Sequence, residues 1–269
     1  MGMNRQPYPT DLSDAEWHRL APLVPKPKAG GRPPKYPRRE ILNAILYVVR
    51  AGCAWRLLPH EFPSWRIVYH YFRLWKLQGV WKRIHDRLRK LLRQAVGRAR
   101  QPSAAILDSQ SVKTTERGGE KGYDAGKNVN GRKRHILVDT LGLLLVIRVT
   151  AASTQDRDGA RQLLKVLAHH WTRLRLIWAD SSYAGELIEW VRQLRARRRV
   201  KLEIVRRADA QKGFVVLPKR WIVERTFGWL NRCRRLSKDY EYLTATSEAL
   251  IHVAMINLMV RRLARRPTF

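Results

Sequence analysis

Three carboxylates in this sequence are placed where they could do chemistry together. Asp108 and Asp180 each close a short, mostly apolar run, Ala104–Leu107 and Leu174–Ala179, and each is followed by Ser. In α/β sheets, ligands gather at the carboxyl ends of strands. Two carboxylates packed side by side repel and raise a pKa unless a cation sits between them. A divalent ion that prefers hard oxygen donors, Mg²⁺ first, meets that need and keeps sites for water and phosphate oxygens. The third acid, Glu224, lies in Pro218–Tyr240, PKRWIVERTFGWLNRCRRLSKDY. At about 100° per residue this stretch reads as a helix with Ile222, Val223, Thr226, Phe227, Trp229 and Leu230 on one broad arc. Arg220, Glu224, Gly228, Asn231 and Arg235 form a narrow stripe opposite. Glu224 would serve a second ion, and two ions about 3.5–4 Å apart clamp the attacking and leaving oxygens of an in-line phosphoryl displacement. Arg220, Asn231, Arg232 and Arg235 would hold phosphates beside them. Plainer readings stay open: a strand-end acid can cap the next turn, and Glu224 can make i,i+4 pairs with Arg on a solvated face.

Other groups compete for the role. Asp139 reads as a hairpin-turn residue, and Asp156 and Asp158 as helix N-terminal acids. His135 has no second His or Cys at a ligand spacing, and His169 and His170 diverge on a helix, so a solvated role is expected for all three.

Composition narrows the substrate. The chain has 269 residues, room for one large domain or two ordinary ones, and 45% hydrophobic content with ten Trp, enough for a core. Fifty-four Lys and Arg against 22 Asp and Glu give a formal charge of +32. That charge attracts polyanions, with nucleic acid the leading partner because phosphate neutralisation releases counterions. A membrane surface is disfavoured: the basic residues are spread along the chain, and no run of about 18 apolar residues could span a bilayer. Two cysteines, Cys53 and Cys233, suit a reducing compartment. The first residues carry no apolar signal segment, so a cytoplasmic location is expected.

The elements that must position these groups follow from periodicity. Residues 1–100 carry 21 Lys and Arg against 6 Asp and Glu and read as nearly all helix. Ser13 caps a helix to about Leu23, a basic Gly/Pro-rich linker runs over Lys28–Pro37, and Arg38–Ala51 is helical with Gly52 as its stop. Ser64 caps a further helix, Trp65–Gln78, in which Ile67, Val68, Tyr71, Leu74 and Trp75 face inward, and Val80–Gln94 follows. Helix, turn and basic aromatic helix are compatible with a helix-turn-helix unit, with Ser64, Arg66, Tyr69, His70 and Arg73 facing a groove. The alternative is a small bundle in which Tyr69 and His70 simply pack. Beyond Arg98–Ser103 the texture alternates. Ala104–Leu107 is a strand, Ser109–Gly131 a polar Gly-rich stretch, and Arg132–Asp139 and Leu143–Thr150 a hairpin. Helix 158–170, strand 174–179, helix 184–197, strand 200–205, the Glu224 helix and a closing helix over 247–265 complete a mixed sheet with helices on both faces.

The stretches LDSQSVKT, GYDAGKNVNGRKRHILVDTLG, TQDRDGA, WADSSYAG and WIVERTFGWLNRCRRLSKDYE resemble the transposases of bacterial insertion sequences of the IS-five family, in the DDE class. LSDAEWHRLAPLVP and GRPPKYPRREILNAILYVVRAGCAWRLLP resemble that family's small N-terminal helical domain, so the likeness runs from Leu12 to Arg262. It implies a helical DNA-binding domain over 1–100 and an RNase H-like catalytic domain over 101–269. Asp108, Asp180 and Glu224 match the three acidic positions. Mg²⁺-dependent hydrolysis at transposon ends (two ions, Mn²⁺ tolerated), followed by attack of the freed 3′-OH on target DNA, is implied as the activity. Double-stranded DNA is the implied partner, and a homodimer on paired ends the implied assembly. Arg32, Lys35, Lys113, Lys127, Arg132, Lys133 and Arg134 join the helix residues as candidate DNA contacts. The related signature places Tyr and Lys where this chain has Leu217 and Asn231; Arg232 or Arg235 would cover the Lys. A nuclease that cleaves without joining and a non-catalytic DNA-binding regulator remain the alternatives.

Overall fold

The computed structural model describes residues 5–27, 30, 33–116, 119–170, 173–194, 200–205 and 219–265. Arg32, Leu217, Pro218 and the side chains of His169 and His170 lie outside the described residues. Two compact units divide the chain: Met1–Val96 with Arg232–Ser237 and Ala249–Phe269, and Gly97–Asn231 with Lys238–Glu248. The first division, after Val96, falls beside the expected junction at 100/101. The expectation that everything beyond it forms one domain is corrected, because the tail returns to the helical unit. Its Leu250, Val253, Ile256, Met259 and Val260 are buried there.

In the helical unit, α1 (Asp14–Leu20) opens on a capping box between Ser13 and Glu16. α2 (Arg38–Ala51) stops at Gly52, whose φ of 80° is left-handed and where a Cβ would meet Arg234 at 2.8 Å. α3 (Trp65–Leu77) and α4 (Val80–Ala95) follow. Ser64 sits at the N-cap position of α3 but makes no capping bond. The inward face of α3 is centred on Val68, Phe72 and Trp75, with Ile67, Tyr71 and Leu74 only half-buried. Trp81 of α4 locks the pair by donating its indole N–H to the Phe72 carbonyl at 3.1 Å.

The second unit is α/β. Its strands are β1 (Ala104–Lys113), β2 (Gly122–Asp124), β3 (Val129–Asp139), β4 (Leu144–Ala151), β5 (Leu176–Ala179) and β6 (Lys201–Ile204). Its helices are α5 (Asp156–His170), α6 (Glu186–Leu194), α7 (Trp221–Asn231) and the first turn of α8 (Thr244–Ala264). The sheet order is β2-β3-β1-β5-β6, with β4 also paired to β3. β3 is antiparallel to β1, β2 and β4, whereas β1, β5 and β6 run parallel. Ala105, Leu107, Leu137, Ile177 and Ala179 pack with Ala160, Leu163 and Leu164 of α5 and Leu187 and Val191 of α6 into one core. Strand alternation sends the even-numbered residues of β1 to the opposite face, where α7 packs.

Two expectations need correction here. β1 does not end at Leu107: antiparallel pairing with β3 carries it on to Lys113, so Asp108 lies mid-strand. α7 ends at Asn231, far short of Tyr240, which takes Arg235 off the Glu224 stripe.

The run Arg132–His135 is wholly buried, against its charge. Each group is offset internally. Arg132 pairs with buried Asp239 at 3.0 Å and donates to the Tyr242, Glu120 and Ser247 oxygens. Lys133 bridges Asp124 (3.1 Å) and Asp156 (3.3 Å). Arg134 donates to the Lys238 carbonyl, and burial pulls its pKa down to about 10. His135, expected to be solvated, is instead enclosed against Gly159 and shares a hydrogen bond with Thr150 Oγ1 at 3.1 Å. Asp239→Ala should therefore cost about 3–5 kcal/mol, because Arg132 would remain buried and unpaired. Urea unfolding measures this, and the double replacement Arg132→Met with Asp239→Leu should lose less than Asp239→Ala alone.

Candidate active site

The parallel register of β1 and β5 creates the site. Ile106 lies opposite Trp178, and extending that register by two residues sets Asp108 beside Asp180. Neighbouring strands lie about 4.8 Å apart, so the two carboxylates share one end of one face. Asp180 caps the 3₁₀ turn Ser181–Tyr183, its Oδ1 accepting from the Ser182 backbone N–H at 2.9 Å and from the Ser182 hydroxyl at 2.5 Å. Its Oδ2 accepts from Arg220 Nη2 at 3.3 Å. Asp108 Oδ1 accepts from the Ser109 N–H at 2.7 Å.

The two acids are not equivalent. Burial first, and the neighbouring Asp180 charge after it, push Asp108 up to about 6, against the opposing Ser109 N–H, Arg220 and Lys127. The chain's own cations leave Asp108 short of counter-charge. That shortage and an all-oxygen donor pair fit a divalent metal ion. Among the described residues, however, no three His, Cys, Asp or Glu side chains stand close enough to hold an ion. Glu224 is thus not drawn into the aspartate pair.

Glu224 is exposed, in the first turn of α7 on the face of the sheet that carries Asp108. The helix is pinned to the β3–β4 turn. Thr226 Oγ1 donates to the Gly142 carbonyl at 2.8 Å, and Arg225 Nη2 to the Leu141 carbonyl at 3.1 Å. Asp139 builds that turn, its Oδ1 accepting from the Leu141 and Leu143 N–H groups, both at 2.9 Å. Gly142 has φ 79°, and a Cβ there would meet Thr226 Oγ1 at 2.9 Å and Trp229 at 3.0 Å. Just before α7, Lys219 adopts a left-handed φ of 75°, with its ammonium 4.2 Å from the Trp178 ring centroid. Arg220 thereby reaches Asp180.

Other neighbours had no reading in the sequence beyond their local roles. Asp156, expected only as a helix-start acid, does open α5 but also accepts from Ser109 Oγ at 2.7 Å and pairs with Lys133. Asp124 accepts from Ser111 Oγ at 2.6 Å. Tyr183 is buried, and its phenol is raised well above its usual range by burial and by Asp108 and Asp156. Their only signal is alternation: Ser109 and Ser111 point away from Asp108 and need polar partners on the core side.

The candidate DNA contacts separate by exposure. Arg66, Tyr69, His70 and Arg73 are all exposed on α3, as is Lys35, although Tyr69 also packs edge-on against Trp55 at 5.3 Å. Lys113, Lys127, Asn231 and Arg232 are exposed, and Arg220 is half-buried. Arg132, Lys133 and Arg134 are corrected, since their charges are spent inside the sheet. Arg235 is corrected too: it is buried in the 3₁₀ turn Arg234–Leu236 and donates to the Cys53 carbonyl at 3.2 Å.

The raised Asp108 has a stability consequence. The folded state holds this proton more tightly than the unfolded chain, so without metal the group costs nothing below about pH 4 and its full penalty above about pH 6. Asp108→Asn should therefore raise metal-free stability at pH 7.5 by up to about 3 kcal/mol, with the gain vanishing near pH 4. Thermal melts in chelator across that range check it.

Residues 99–259 match the family model described as "Transposase DDE domain", and residues 12–85 match "Putative transposase of IS4/5 family". The chain is 30% identical over 136 residues to the "Putative transposase for insertion sequence element IS402" of Burkholderia cepacia, covering 48% of this chain and 60% of that protein. It is 34% identical over 117 residues to the "Insertion element IS402 uncharacterized 16.2 kDa protein" of the same organism, covering 41% of this chain and 78% of that one. With the DDE model spanning Asp108, Asp180 and Glu224 alike, the chain belongs to the DDE transposase family of insertion sequences.

Proposed function

We propose that this chain binds the terminal inverted repeats of an insertion sequence, hydrolyses the DNA strand at their ends and joins the liberated 3′-OH to target DNA. The observation that carries this reading is that Asp180, just past the end of β5, acts electrostatically on Asp108 of the parallel neighbour β1, while Arg220 at the start of the Glu224 helix bonds to Asp180. The mixed sheet, antiparallel across β3–β1 and parallel across β1–β5–β6, supports an RNase H-like catalytic domain.

Asp108 and Asp180 would hold the first of two Mg²⁺ ions, with Mn²⁺ as a substitute, and Glu224 would ligate the second. Bound divalent ions supply Lewis acidity and lower the pKa of a nucleophilic water. Bringing Glu224 into the aspartate pair requires α7 to draw in when DNA and ions are present. Arg220, half-buried and paired with Asp180 in the free protein, would then turn to a phosphate oxygen. Lys127, whose Nζ lies 3.4 Å from the Ser109 carbonyl, borders the same strand end. Tyr183 and Asp156 keep the underside of β1 polar and fix Ser109, whose N–H holds Asp108 in place.

In the helical unit, the exposed stripe Ser64, Arg66, Tyr69, His70 and Arg73 of α3 serves as the recognition face of a helix-turn-helix-like module, with Lys35 on the backbone. Cleavage of two ends calls for a homodimer. Among the described residues no helix is long and apolar enough to cross a membrane.

Two measurements test this. On a linear duplex bearing the inverted repeat that borders the coding region, with Mg²⁺ and a target plasmid, Asp108→Ala, Asp180→Ala and Glu224→Gln should each lower cleavage by more than about 100-fold. End binding should stay within a few fold. Near-wild-type cleavage by any one of them removes that residue from the site, and cleavage without joined product favours a plain nuclease. Second, log affinity for the end should fall linearly with log salt, and Arg66→Ala or Arg73→Ala should each flatten the slope by about 0.9 per lost phosphate contact. A slope unchanged in both variants places recognition elsewhere.

A further inference from the structure

The connection between α2 and α3 presents an apolar side chain to solvent on a firmly held base. Leu57 is 73% exposed, in the 3₁₀ turn Trp55–Leu57. Its neighbours hold that turn in place. The Trp55 ring packs 5.3 Å from the Tyr69 ring and 5.1 Å from the Phe72 ring of α3, and Leu58 is buried. The Leu57 N–H closes onto the Ala54 carbonyl at 2.9 Å, and the Leu58 N–H onto the Trp55 carbonyl at 3.2 Å. Just upstream, the Cys53 carbonyl accepts from Arg235. A single exposed leucine is ordinary on a protein surface. This one shares its turn with half-buried Trp55, which leans on exposed Tyr69, and half-buried Trp65 lies one helical turn before Tyr69.

The charges around these side chains are an independent observation. The Arg56 guanidinium lies 5.3 Å from the Trp65 ring centroid, and the Arg66 guanidinium 5.8 Å from the same centroid. Both residues are exposed, and among the described residues neither has an ion-pair partner. Like charges gathered at one indole with no acid beside them repel. An apolar protein partner would have to bury them unpaired, which is costly. A polyanion would instead neutralise them, and the excess of Lys and Arg over residues 1–100 favours the same partner.

We propose that the turn Trp55–Leu57 is a second DNA-reading element beside α3. Leu57 lies against the 5-methyl group of a thymine in the major groove, and Arg56 takes a neighbouring phosphate. A recognition helix puts its N-terminal residues on base edges, and the turn packs against that part of α3 through Tyr69 and Trp65. In the major groove thymine is the base that offers a methyl group to an apolar side chain. Leu57 therefore selects sequence, whereas Arg56 adds affinity for any sequence. The inference rests on the DNA-binding reading of α3 above.

The test measures binding of the full chain to the duplex carrying the bordering inverted repeat and to variants in which one thymine at a time becomes deoxyuridine. At one position the wild-type protein should lose about fourfold in affinity, the worth of one buried methyl group. Leu57→Ala should bind the unmodified duplex about fourfold weaker or worse, lose nothing further on that deoxyuridine duplex and keep the wild-type salt slope. Leu57→Met, of similar volume, should retain the discrimination. Arg56→Ala should do the converse, flattening the salt slope by about 0.9 while keeping the thymine preference. Each variant should melt within about 2 °C of wild type, because the altered side chains are exposed. A Leu57→Ala protein with the wild-type deoxyuridine profile overturns the proposal and leaves the α3 reading standing. The same profile together with an altered oligomeric state by light scattering also overturns it, in favour of a protein contact. A wild-type protein that binds the end no more tightly than random duplex removes both readings.

Discussion

Two like charges are held side by side in this protein because parallel strand pairing leaves them no alternative. Register is set upstream, where Ala104, Ala105 and Ile106 face Leu176, Ile177 and Trp178. Those pairs are fixed by burial of Ala105 and Ile177 in the core below, since a slip of one residue would turn an apolar row to the wrong face. The repulsion between Asp108 and Asp180 is thus a cost imposed by hydrophobic packing some residues away. The raised pKa of Asp108 reflects its burial first and this neighbouring charge after it. Asp180 leaves the strand, caps a turn and meets Arg220.

Positioning of the third acid uses a different kind of contact. α7 is keyed to the β3–β4 turn by hydrogen bonds from Thr226 and Arg225 to backbone carbonyls and by the fit of Trp229 over Gly142. Asp139 in turn shapes the loop that accepts them. A residue legible in the sequence as a hairpin-turn acid therefore acts at a distance on Glu224. The strained Lys219 backbone and its contact with Trp178 mark the other end of this linkage, next to Asp180. Strain of this kind persists only where the surroundings enforce it.

Much of this was legible in the sequence, for physical reasons. Apolar runs ending in Asp-Ser located the two aspartates, and helical periodicity located Glu224 along with the buried arc of Ile222, Val223, Phe227 and Leu230. The α2 boundaries, the hairpin and its Asp139–Gly142 turn came from cap and turn chemistry. What misled was charge. Arg132, Lys133, Arg134 and His135 read as a surface run because ionised groups are seldom buried. Their partners Asp239, Asp124, Asp156 and Thr150 lie too far along the chain for spacing to reveal them. Arg235 misled differently: α7 stops at Asn231, so helical phase no longer relates Arg235 to Glu224. β1 was read too short because its polar half, Ser109–Lys113, lacks the apolar signal and is held by pairing to β3.

Arg220 connects these strands of the argument. Its guanidinium bonds to Oδ2 of Asp180, while Asp108 accepts the Ser109 backbone N–H and feels Arg220 and Lys127 only through their charge. Burial, before any of these charges, sets the raised pKa of Asp108. The contact between the start of α7 and Asp180 is an ion pair, whereas the contact between α7 and the β3–β4 turn is made to backbone carbonyls, by Thr226 and by the Arg225 guanidinium. Charge introduced between the two aspartates competes with the first and leaves the second untouched. The helix can then respond at its N-terminal turn, where Arg220 and Glu224 lie, while Thr226 and Trp229 keep its far end in register with the sheet.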